Sequence, residues 1–235
     1  MKQLLFTTHF ISMLLSYLLI SNSVVSQVSI HLGTSSLKRF VSNNSSDRAF
    51  IGLNGGIELP RSNDVTFYGR IGYYFPRKEG EQGSTFVTAT NFNTTPYNLT
   101  INYQTKLSYT TIEGGTRYYL GNDYDNGFSL YGGGNFMLNF ISVKRDYDKQ
   151  DVSGEYEWEN NYQLSPSELR TGKIISIAMG LQGGLKYTIP ATGTFYFDVS
   201  GHYSIFGQPS NANISQQYYS PIFFLINLGY RKDLY

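Results

Sequence analysis

Apolar side chains at every second position recur along this chain, and no other feature limits its fold so tightly. Phe128, Leu130, Gly132, Gly134, Phe136, Leu138 and Phe140 form one such set. Ile175, Ile177, Met179, Leu181, Gly183, Leu185 and Tyr187 form a second, and Val65, Phe67, Gly69, Ile71, Tyr73 and Phe75 a third. Shorter sets run Ile51–Leu59, Ile112–Leu120, Phe195–Ile205 and Ile222–Tyr230, and a weaker one starts at Val28. A period of two with one apolar face marks a half-buried strand. Eight strands are therefore predicted, with no long apolar helix among them. The abundance of Tyr and Phe, 21 and 16 residues, suits strands as well.

The opposite faces are polar or small. They carry Glu58, Arg70, Glu113, Arg117, Lys186, Asp198 and His202, with His31 and Arg231 as further candidates. The connections alternate in length. Tight turns fall at 61–64 (RSND), 121–127 (GNDYDNG) and 190–193 (PATG), and longer polar stretches at about 41–48, 77–105, 145–171 and 207–219. Short turns on one side and long loops on the other, around strands of about 9–11 residues, are the pattern of a transmembrane β-barrel. Such a sheet must close, because a bilayer leaves no partner for an open edge. The alternative is a soluble barrel with its apolar face inward; the thinly spread charges on the other face argue against it. The fold expected is an all-β, eight-stranded antiparallel up-and-down barrel.

The first segment reads as a leader. Lys2 is followed by a mostly apolar Leu4–Ile20, and Val24 and Ser26 stand at −3 and −1 of a small-residue cleavage site. This makes 1–26 a signal peptide and 27–235 the barrel domain. Losing Lys2 takes the formal charge from +1 to 0, and nothing here offers the basic surplus that nucleic acid requires. With no Cys in the chain, neither a lipid-modified N-terminus nor a disulfide is available.

On this alternation, the loop asymmetry and an end that carries Asn227, Gly229, Leu234 and Tyr235, the chain resembles the small eight-stranded outer-membrane barrels of the OmpA/OmpX type. Lys232 stands where that family has an apolar residue in its terminal assembly signal. The resemblance implies a monomeric protein of a Gram-negative outer membrane. Its termini would lie in the periplasm, its long loops outside, and its partners would be outer-membrane lipid and lipopolysaccharide. No cofactor is implied.

Glycines sit inside several strands, where they weaken packing unless space or curvature needs them. Centring the tight turns predicts opposed pairs across each short hairpin: Gly55 with Gly69, Gly52 with Gly72, Gly114 with Gly134, Gly115 with Gly133, and Gly183 with Gly201. Inward glycines such as Gly115 and Gly133 would make room in a narrow lumen. Outward ones such as Gly114 and Gly134 would let the sheet bend. The same registers set Lys186 opposite Asp198 and Glu58 diagonal to Arg70. A phosphate-binding loop at Gly132–Gly134 is excluded because no helix follows.

Catalysis is not expected. Asp198, His202 and Ser204 share a strand face, but Asp198 and His202 stand two repeats of ~6.8 Å apart, beyond hydrogen-bond reach. The His202-x-Ser204 pair resembles that of the lipid A deacylase barrels, yet Ile205 and Phe206 follow where those enzymes carry Asn-Ala. The 145–171 stretch is acidic, and "DYDKQD" lacks the ligand order of a calcium loop, so no metal is expected. Within it "EYEWEN" alternates and places Tyr156 and Trp158 on one face as candidate recognition residues. The reading is a structural or surface-interaction protein acting through its loops, its lumen plugged by polar side chains. A narrow channel is the alternative.

Overall fold

A computed structural model of the chain describes residues 28–40, 49–121, 124–148, 154–158, 170–209 and 218–234. The expected leader over 1–26 lies outside them. The elements are β1 (Val28–Phe40), β2 (Phe50–Pro60), β3 (Val65–Ala89), β4 (Asn98–Leu120), β5 (Gly127–Tyr147), β6 (Tyr156–Trp158), β7 (Thr171–Ile189), β8 (Gly193–Pro209) and β9 (Ile222–Leu234). Each long strand pairs antiparallel with its neighbours in chain order, and β1 also pairs with β9. The ring of eight closes without an edge, as an eight-stranded antiparallel transmembrane barrel. The short β6 stands outside the ring, on the tip of β3.

The alternation sorts the side chains by face. Outward Ile30, Ile51, Leu53, Ile71, Leu181 and Leu228 are exposed, and so are most of the other large apolar residues of the repeats. Inward Glu58, Arg70, Glu113, Arg117, Lys186, Asp198 and His202 are all buried. Aromatic residues edge the apolar wall at both ends. Phe67, Tyr118, Phe128 and Tyr230 stand near the short turns, and Tyr73, Phe75, Phe140 and Phe224 towards the long connections. This is the outer surface of a barrel whose solvent at mid-height is hydrocarbon.

The strands differ in length. β1 and β2 have 13 and 11 residues, whereas β3, β4 and β5 have 25, 23 and 21. About 9–11 suffice to cross a membrane. The stretch 77–105, expected as a loop, is therefore a strand hairpin apart from its 90–97 turn. Its Thr, Val, Ile, Phe and Tyr residues favour strand, and they pack: Val87, Ile101 and Tyr147 are buried together, with Leu99, Tyr103 and Tyr156 against them. Past Tyr74 the ladder of β3 shifts. Pro76, which cannot donate to a ladder, lies in this bulge, and the inward positions change from Tyr74 to Glu79.

All three short hairpins keep the expected faces and change the expected partners. Gly55 pairs with Ile71 and Gly52 with Tyr74. Gly115 pairs with Asn135 and Tyr118 with Gly132, which sets Gly133 against Arg117. Gly183 pairs with Val199, Gly201 with Leu181, and Lys186 with Tyr196 rather than Asp198. Each register differs from expectation by two residues, the slip that leaves every side chain on its own face. The turns explain it. Arg61 and Ser62 both donate to the Val65 carbonyl. Tyr124 is drawn inward beneath the barrel, between Gly121 and Gly127 at positive φ. Ala191 adopts a φ of 63° at the centre of the third turn.

Glycines do oppose one another, but across the other seams. Gly69 meets Gly114, Gly132 meets Gly183, and Gly33 meets Gly229. Several inward glycines instead face an aromatic ring: Gly115 opposes Tyr68, Gly184 opposes Tyr131, and Gly229 opposes Tyr196.

Candidate functional site

The lumen is built in layers. Nearest the short turns, Arg231 and Asp233 meet Tyr124, whose hydroxyl lies 3.0 Å from Asp233 Oδ1 and also bonds Ser29. The Arg231 guanidinium sits over the Tyr124 ring, 4.0 Å from its centroid. Beside this layer Lys186 donates to the Asn126 carbonyl at 2.6 Å and to Thr188. Its ammonium is thus turned towards the 121–127 turn and away from the expected Asp198.

Above lies a network of three carboxylates and three guanidiniums. Arg70 donates to both oxygens of Glu113 at 2.8–2.9 Å and to Asp198 at 3.1 Å. Arg117 donates to Glu58 at 2.6 Å and to Asp198 at 3.2 Å, and Arg231 approaches Glu58 at 3.5 Å. Glu58 and Arg70 are diagonal as expected but are not each other's partners. Remaining acceptor sites are filled by neutral donors: Thr66 and Tyr119 on Glu58, Tyr68 and Asn135 on Glu113, Asn227 and Tyr131 on Asp198. Buried charges persist only when paired and hydrogen-bonded in this way. The Arg117 guanidinium also stacks against Tyr68, Tyr131 and Tyr196, at 4.4–5.5 Å from their centroids.

Towards the long connections the lumen turns apolar. Met137, Phe50, Tyr109, Phe223, Ile141 and Leu225 form a buried layer, each at most 1% exposed. Phe50 and Tyr109 meet edge-on at 4.7 Å. Above them Arg39 pairs with Glu79 at 2.5 Å and donates to the Tyr218 carbonyl. The expectation of an all-polar lumen is thus corrected: its half towards the long connections is filled by apolar side chains. The signal was present in runs such as Phe140-Ile141 and Ile222–Ile226, where both strand faces are apolar. Arg39, Glu79 and Asp233 were likewise missed, lying near strand ends where inward and outward positions are hard to assign.

His202 does not join Asp198. Asp198 is engaged by Arg70, Arg117, Asn227 and Tyr131, and neither ring nitrogen of His202 has a hydrogen-bond partner among the described residues. The Ser204 hydroxyl donates to main-chain carbonyls of Ile177 and Phe206.

At the loop end, β6 extends the sheet of β3, pairing Val87 with Trp158 and Ala89 with Tyr156. Tyr156, expected as a recognition residue, packs into the small cluster of Val87, Ile101 and Tyr147. The Trp158 side chain, and the acidic Asp151, Glu159 and Glu168, lie outside the described residues. The aromatic pair offered outward is a different one. Phe92 and Tyr97 stack at 5.8 Å and 7° on the tip of the β3–β4 hairpin, and Phe92 is 90% exposed.

No family model matches the chain, and no curated protein matches it in sequence. Solved structures do. A major outer membrane protein from Thermus thermophilus aligns with a TM-score of 0.51 at 9% identity, over 90% of this chain and 100% of that one. The chain has the fold of a small outer-membrane β-barrel. Two further matches are Ail, the attachment invasion locus protein of Yersinia pestis, in complex with the heparin analogue sucrose octasulfate, and Neisserial surface protein A. Ail aligns at TM-score 0.47 and 16% identity over 89% of this chain and 100% of its own. The Neisserial protein aligns at 0.46 and 15% over 88% and 97%. For this barrel the lumen network and the loop-end sheet are arrangements with functional potential.

Proposed function

We propose that this protein sits in the outer membrane with its short turns in the periplasm, and that it acts through its loop-end surface while its lumen stays closed. The observation that carries this reading is the apolar layer around Met137, Phe50 and Phe223. A hydrated path would have to pass both this layer and the ion-pair layer beneath it, and a packed apolar constriction excludes water. An eight-stranded barrel is just wide enough for side chains to fill it. The extended β3–β5 sheet has a core of its own, so it presents a shaped surface for a partner, with the Phe92–Tyr97 stack at its tip. Exposed aromatic anchors of this kind are the usual centres of protein recognition.

The same geometry supports a non-catalytic role. His202 points into the closed lumen, the Ser204 hydroxyl is turned to its own backbone, and Asp198 is committed to arginines. Planar-bilayer recording tests the closed lumen. The expected result is no steady conductance from inserted protein. Unitary steps that change in Arg70→Ala or Lys186→Ala would establish the channel instead.

A further inference from the structure

Three lysines stand in register on three consecutive strands. Lys78 of β3 pairs with Lys106 of β4, and Lys106 pairs with Lys144 of β5. On β7, Lys173 follows one outward step nearer the membrane, opposite Ser142. All four side chains face outward. Like charges directly opposite on a sheet repel and destabilise it, so a row of them needs a counter-charge. Among the described residues the carboxylate paired with the row is Asp146, 2.6 Å from Lys106 and 3.4 Å from Lys144. The hydrogen bond from Lys106, with the lysine charges and against slight burial, holds its carboxyl below the usual carboxylate range. One carboxylate spans two of the lysines.

The row has a definite height. Going outward, Lys78 follows the Tyr73–Phe75 aromatic pair on β3 and Lys173 follows Ile175 on β7, while Ser142 separates Lys144 from Phe140 on β5 and Thr110 and Ser108 separate Lys106 from Ile112 on β4. The lysines thus stand beyond the apolar wall, past a short polar step on β4 and β5, as headgroup-level cations do on a membrane-spanning surface. Lysine stems there lie along apolar surface while the ammonium groups reach the boundary. Among the described residues the short-turn end of the wall has no such row: outward Lys232 there donates to the Ala191 and Thr192 carbonyls.

We propose that Lys78, Lys106 and Lys144 form a binding site for the phosphates of an anionic outer-leaflet lipid whose acyl chains lie on the apolar wall beneath. This rests on the outer-membrane placement above. A lipid is favoured over a soluble polyanion because the row faces sideways, away from the barrel axis, on the same outer face as the apolar wall. Asp146 competes with the phosphate for Lys106 and Lys144.

The test inserts the full barrel into phosphatidylcholine vesicles and exchanges in either lipid A with both phosphates or lipid A stripped of them. Insertion is scored by heat-dependent gel mobility, and captured lipid by native mass spectrometry. The phosphorylated form should be captured selectively. K78Q/K106Q/K144Q should lose roughly a hundredfold in that preference, at about fivefold for each lysine beside an anionic surface, while Lys232→Gln keeps it. Asp146→Asn should gain affinity, a direction that misfolding cannot mimic and that decides the matter if the triple variant fails to insert. Wild-type protein that does not insert sinks the outer-membrane placement. Inserted protein that captures both lipids equally overturns the lysine site alone. So would heparin fragments in solution binding the row as tightly as the phosphorylated lipid does.

Discussion

Arg117 on β4 reaches Glu58 on β2 across the inner face of β3, with its Nη1 2.6 Å from Glu58 Oε2. Main-chain ladders join only adjacent strands. This pair joins second neighbours, and the same guanidinium reaches Asp198 on β8, on another part of the wall. The ion pairs therefore brace the barrel across its diameter, where the sheet itself supplies nothing.

Removing one member should show how much depends on it. Glu58→Ala strips Arg117 of its shortest carboxylate contact and leaves the buried guanidinium short of a partner. Breaking a buried pair from one side costs about 3–5 kcal/mol, whereas replacing both partners by apolar residues is far milder. The urea midpoint in detergent should fall for Glu58→Ala and recover in large part for E58L/R117M. Equal midpoints for Glu58→Ala and wild type would show that the pair is energetically idle.

The glycines divide by face. A Cβ on Gly133 would run into the Thr116 main-chain carbonyl, whereas one on outward Gly69 would meet nothing within 4 Å. Gly133→Leu should therefore impair folding by roughly 1–3 kcal/mol or more, the cost of overpacking. Gly69→Ala should be neutral or gain about 0.4–1 kcal/mol through the unfolded chain. The fraction refolded into micelles, read by gel shift, should separate the two; similar yields would mean that the lumen has room to spare at Gly133.

Which face each residue takes was readable from the chain, and which residue it meets was not. Alternation sent Glu58, Arg70, Glu113, Arg117 and Asp198 to the same side, and a register error of two residues cannot undo that. The partners depend on turn details such as Tyr124 tucking beneath the lumen and Ala191 at positive φ, which are tertiary choices. Lys186 was assigned to Asp198 and found at Asn126 for this reason. The apolar layer was hidden differently. Where a strand is apolar on both faces, as at Ile222–Ile226, the period-two signal vanishes while the strand persists. The 77–105 hairpin was hidden by its Asn and Thr content, although Thr favours strand when neighbours cover it.

The closed lumen proposed above, sealed by two independent layers, predicts a specific pattern of conductance. Met137→Ala with Phe223→Ala thins the apolar layer and should cost about 2–5 kcal/mol at each site, yet the Arg70–Glu113–Asp198 network beneath still blocks the path. Arg70→Ala alone loosens the network and leaves the apolar layer sealed. Only the three changes together should give measurable unitary currents. Currents from either single-layer variant would show that one layer does all the sealing.

The loop-end sheet should open separately from the barrel. Its core is small, formed by Val87, Ile101 and Tyr147 with Leu99, Tyr103 and Tyr156 against them, and it shares no residue with the apolar layer of the lumen. Units with few buried contacts of their own open at lower free energy than the global fold. Ile101→Ala removes a buried side chain from this core, a loss of about 2–5 kcal/mol when fully felt. Trypsin cleavage after Lys106 and Arg145 on intact cells should then accelerate at least tenfold, and amide exchange over 84–88 and 99–103 should speed up with it. The temperature of the gel-mobility shift, which reports the barrel, should stay where it is. If that temperature falls in step with the faster cleavage, the extension and the barrel unfold as one cooperative unit.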